Sequence, residues 1–106
     1  MLRLFVSVIL CATATGCVSS TPSVDAGAQV DAYAACNRRH ALRYAKQAGD
    51  PYSLAIAAEA SCPRERLALM YVYRDAYGPG TALRMVDGLA QNAIEGNTAI
   101  IARARS

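Results

Sequence analysis

Four cysteines and a single histidine are the residues of this 106-residue chain best suited to chemistry: Cys11, Cys17, Cys36, Cys62 and His40. Nucleophilic catalysis would require a serine or thiol held by a base, with an acid to orient that base, and no motif sets His40 in such an arrangement. The cysteine spacings fit no zinc-ligand pattern, and no Cys-x-x-Cys pair points to redox catalysis. The acidic residues stand singly, so paired carboxylates for hydrolysis cannot be built from the sequence. Gly78-Pro79-Gly80 is the nearest approach to a glycine-rich loop. Its proline marks it as a turn and not a phosphate cradle. The residues therefore predict no catalytic site, no cofactor and no metal.

Charge narrows the field further. Eleven basic side chains, one of them Arg3 in a segment expected to be removed, stand against eight acidic ones and leave about +2. That balance is too weak to argue for nucleic acid. Arg38, Arg39 and Arg43 are the densest basic group and could meet anionic lipid headgroups or an acidic partner. A solvated helix face is the plain alternative. Arg64 and Arg66 would join the group if Cys62 is bonded to Cys36.

The N-terminus has the layout of an export signal: Arg3, the apolar run Leu4–Leu10, then Ala12, Thr13, Ala14, Thr15 and Gly16. The run falls well short of the ~20 residues that span a bilayer as a helix. Ala14-Thr15-Gly16-Cys17 resembles the lipobox of bacterial lipoproteins, with Ala14 where leucine is most usual. The resemblance covers residues 1–17. It implies cleavage before Cys17, a diacylglyceryl thioether on its sulfur and usually an N-acyl chain, which together hold a protein firmly on a membrane. Val18, where aspartate would retain a lipoprotein at the inner membrane in enteric bacteria, favours the periplasmic face of the outer membrane. Ala12-Thr13-Ala14 offers the competing site for ordinary signal peptidase, which would release a soluble periplasmic chain.

With Cys11 removed and Cys17 acylated, Cys36 and Cys62 remain in an oxidising compartment, which favours a disulfide between them. Closing that loop would stabilise the fold by roughly 3–4 kcal/mol. Two separate thiols are the alternative, since the helical wheel sets Cys36 toward a polar side.

The elements that must position these groups are all helical. Hydrophobic residues make up 54 % of the chain, but alanine supplies much of that and there is no tryptophan. Small apolar residues suit packed helices better than sheets. Residues 1–16 form the signal, 17–29 the lipidated cysteine and a Ser/Thr/Pro/Gly tether, and 30–106 a helical domain. Within it a first helix is expected over Val30–Ala48, with Val30, Tyr33, Ala34, Ala41, Tyr44, Ala45 and Ala48 on its apolar side. A second starts at Pro51 with Asp50 as N-cap and ends near Ala60. A third runs from Pro63 to about Tyr77, with Cys62, Leu69, Met70, Tyr73, Ala76 and Tyr77 on one face.

The fourth starts at Thr81. Its stripe comprises Leu83, Val86, Leu89, Ala90, Ala93, Ile94, Ile100, Ile101 and Ala104, with Gly96-Asn97 a possible kink or break. The expected fold is all-α, a small bundle of three to four helices stapled by one disulfide. Most of the six tyrosines are expected to be half-buried core.

A lipid address, a spacer and a small stapled bundle together suggest a non-enzymatic, membrane-tethered envelope protein that binds another envelope protein. In size and layout the chain looks broadly like the pilotins, small helical lipoproteins that escort secretins. Alternatives are a binder of lipid or cell-wall fragments, and an immunity or entry-exclusion lipoprotein.

Overall fold

The computed structural model describes residues 25–106. The expected export signal, Cys17 and most of the expected tether lie outside them. The described chain forms four helices, α1 Gly27–Tyr44, α2 Pro51–Ala60, α3 Pro63–Tyr77 and α4 Pro79–Ala104, and contains no strand. The all-α bundle with one disulfide is what the sequence predicts.

Helix boundaries follow local chemistry. The Asp25 carboxylate accepts the Gly27 amide at 3.0 Å, so α1 begins one turn before the expected Val30. It also stops sooner, because Ala45 to Gly49 form a turn and Gly49 adopts a φ of 135°. Asp50 caps α2 as expected. One of its carboxylate oxygens accepts the Ser53 amide at 2.9 Å and the other the Ser53 hydroxyl at 2.6 Å, which holds the Asp50 carboxyl below the usual range. Gly78 ends α3 at a φ of 87°, in the left-handed region that glycine enters freely. Pro79 then opens α4, where its missing N–H costs nothing.

α4 packs against each of the other three helices, and so does α1. The longest helix is therefore the spine of two adjoining apolar groups. In one, Ala41 of α1 and Leu54, Ala55 and Ala58 of α2 meet Ile94 and Ile101. In the other, Tyr33 and Cys36 of α1 meet Cys62, Leu69 of α3 and Val86. Alanines at Ala41, Ala55, Ala58 and Ala82 are wholly buried and allow the helix backbones to approach closely. Among the described residues no helix is long and apolar enough to cross a membrane.

Three expectations are corrected. α4 runs unbroken through Gly96-Asn97, and Asn97 is buried. Leu83 and Tyr77, assigned to apolar stripes, are 51 % and 43 % exposed, because they flank the α3–α4 turn where little packs on them. Cys36, which the wheel sets toward a polar side, is only 2 % exposed. Packing against three neighbours widens the buried arc of α1 beyond one stripe.

Candidate functional site

Two polar connections cross the interior. Asn37 Nδ2 donates to the Tyr33 carbonyl at 2.9 Å, and Asn97 Nδ2 donates to Asn37 Oδ1 at 2.8 Å and to the Ala55 carbonyl at 3.3 Å. The second connection takes one side chain from each helix. Tyr33 Oη donates to Glu59 Oε1 at 2.8 Å, Arg66 Nη1 donates to the same oxygen at 3.0 Å, and Arg66 Nη2 reaches Asp87 Oδ1 at 2.8 Å. Burial and the bond to Glu59 push the Tyr33 hydroxyl well above its ordinary value of 10. Each buried group here has a protein partner, so the networks lock the helix register and leave no reactive group free.

Cys36 and Cys62 are joined as a disulfide with their Cα atoms 6.0 Å apart, tying the middle of α1 to the start of α3. His40 lies one turn beyond Cys36, and one of its ring nitrogens comes within 4.8 Å of both sulfurs. The spacing of four already sets Cys36 and His40 on one side of α1, and only the approach of Cys62 depends on tertiary packing. Bonded to each other, the sulfurs supply no thiolate for a metal, so the triplet is not a metal centre in this form.

The expected basic group is only partly assembled as foreseen. Arg38, Arg39 and Arg43 are exposed on α1, at the end of the bundle where α1 and α4 both finish. Lys46 and Arg103 join them around two shallow hollows that share Leu42 and Ala104. Arg66 does not join, because it is held by Glu59 and Asp87. Arg64 lines a different hollow beside Ala28 and Ala32, near the opposite end of α1.

Two apolar features lie on the surface. Of the fifteen residues of α3 only Leu69 is fully buried. Leu67 and Tyr71, each two residues from Leu69 and so about 160° round the helix from it, are 50 % and 47 % exposed. The Arg74 guanidinium lies 4.8 Å from the centre of the Tyr71 ring. With Tyr52 and Tyr77 also open, three of the six tyrosines stand largely in solvent, which corrects the expectation that most are half-buried core. The second feature is a groove of about 280 Å³ between α1 and α4, lined by Val30, Ala34, Leu89, Ala93, Gly96 and Ile100 among others.

No protein-family model, no curated protein and no solved structure matches this chain.

Proposed function

We propose that the chain is a non-enzymatic envelope lipoprotein, carried on acyl groups at Cys17, whose helical domain binds another envelope protein through the outward face of α3. The observation that carries the reading is the exposure of Leu67 and Tyr71, side by side on a helix that gives only Leu69 wholly to the core. Protein interfaces are enriched in tyrosine and arginine, and their binding energy concentrates in a few such anchors. The Ala14-Thr15-Gly16-Cys17 lipobox and Val18 motivate the address, on the periplasmic face of the outer membrane. The buried networks and the disulfide support a binding role in another way: a rigid scaffold presents a surface without losing order on binding.

A photo-crosslinking residue at position 67 or 71, introduced in cells, tests the reading. It should yield one discrete protein adduct, and the same residue at exposed Glu95 of α4 should not. No discrete adduct at positions 67 and 71, or the same adduct at all three, would refute it.

The α1–α4 groove favours a second reading, binding of an apolar ligand such as an acyl chain. Its ~280 Å³ falls just below the roughly 300–1,000 Å³ of small-molecule sites, which ranks this reading second. Native mass spectrometry decides between them: a lipid retained by the purified domain supports it, and a bare mass does not.

A further inference from the structure

We infer that the basic end of the bundle is a second membrane contact, a surface that rests on anionic lipid headgroups and lays the domain against the bilayer that holds its anchor. Five exposed cations converge there: Arg38, Arg39, Arg43 and Lys46 of α1 and the turn after it, and Arg103 of α4. No acidic side chain lines the two hollows they share. The ion pairs among the described residues engage Arg66 and Arg74 only, so these five cations are not neutralised by carboxylates. Leu42 lies at the junction of the hollows, 44 % exposed. An apolar side chain ringed by long cationic ones fits the headgroup boundary. There the leucine enters the acyl edge, the arginine stems cover apolar surface and their guanidinium groups meet phosphates.

Chain length permits the contact. From Gly27 to Leu42 the helix rises about 22 Å. The ten residues from Cys17 to Gly27 reach at most about 34 Å when extended. A lipid at Cys17 therefore leaves enough chain for the far end of α1 to touch the same surface. The inference rests on the tethered reading for its biological setting, but the surface can be tested without the lipid.

All buried residues among those described lie between Ala26 and Ile101, so a chain starting at residue 17 retains the whole core. That chain carrying Cys17→Ser, which has no lipid, should sediment with vesicles of phosphatidylglycerol and phosphatidylcholine at low salt. It should not sediment with phosphatidylcholine alone, and raised salt should release it. Arg39→Glu with Arg43→Glu should reduce partitioning at least about tenfold. Arg64→Glu with Arg84→Glu changes net charge equally, away from the patch, and should change it far less. Unchanged helical circular dichroism confirms that each variant is folded. Binding no better to anionic than to neutral vesicles, or equal loss in both double variants, would overturn the inference. An acidic protein as the true occupant would give the first of these results. Failure of the lipidation reading is scored separately, by the mass of the native protein.

Discussion

Asn97 Nδ2 donates to Asn37 Oδ1 across 2.8 Å of the protein interior, joining α4 to α1 through residues sixty positions apart. The same amide reaches the Ala55 carbonyl of α2, so one side chain ties three helices. Asn97 shares a face of α4 with Ile94 and Ile101, where a leucine would pack without a partner. A buried amide in that place fixes which helices are neighbours at some cost in stability.

Asn97→Ala should therefore lower stability by about 2 kcal/mol, since it leaves Asn37 Oδ1 buried without a donor. Asn37→Ala alone should cost a similar amount. The double variant should cost clearly less than the sum, because it removes both halves of the pair. Urea denaturation of the four proteins measures the coupling, and strict additivity would refute it.

Tyr33 gives an alkaline signature. Its folded-state pKa lies above the unfolded value of 10, first through burial and then through the bond to Glu59. The stability this confers is complete below pH 10. It is lost as pH rises from the unfolded pKa toward the folded one, at about 1.4 kcal/mol per pH unit. Tyr33→Phe should be less stable than the parent by about 1 kcal/mol at neutral pH. The gap should narrow and then reverse above pH 10, because phenylalanine has no proton to lose. Denaturation curves between pH 8 and 11 test the crossing, and a constant gap would contradict it.

The disulfide should contribute roughly 3–4 kcal/mol by closing a loop of 26 residues. At about 4–8 °C per kcal/mol for a domain of this size, Cys36→Ala with Cys62→Ala should lower Tm by about 12–32 °C. Calorimetry reads this directly, and a loss of only a few degrees would mean that the bundle holds without its staple.

How far the sequence foretells these features depends on whether the signal is local. Asp50-Pro51 and Gly78-Pro79-Gly80 act through the backbone beside them: α2 starts and α3 ends where those residues predict, while α4 opens at Pro79, two residues before the expected Thr81, because proline suits the first helical position. With Cys11 and Cys17 set aside by the expected export signal and lipidation, parity was enough to pair Cys36 with Cys62. A wheel for one helix could not place Cys36 in the interior, since that follows from α1 being covered on several sides. Nor could it keep α4 intact at Gly96-Asn97, where the partners of Asn97 come from α1 and α2. The basic end shows the same division. Arg38, Arg39 and Arg43 are legible as neighbours on one helix, while Arg103 reaches them only through the packing of α4 on α1. The separation of Arg66 is likewise tertiary, since Glu59 and Asp87 hold it.

Acid should affect α2 first among these features. The Asp50 carboxyl titrates below its usual range because Ser53 donates to it twice. Its contribution is present above the unfolded carboxylate pKa and lost as pH falls through the lower, folded value. Asp50→Ala should remove that contribution at neutral pH and flatten the acid limb of the stability profile. Hydrogen exchange of the Ser53 amide measured against pH checks this; an unchanged profile in the variant would refute it.

A tethered, stapled domain is tested most directly by the intact mass of the protein taken from native membranes, before and after reduction. The expected species is a chain beginning at Cys17 with the added mass of a diacylglyceryl group and an N-acyl chain, gaining two hydrogens on reduction. A chain beginning at Thr15 without lipid would contradict the tether, and a mass unchanged by reductant would contradict the disulfide.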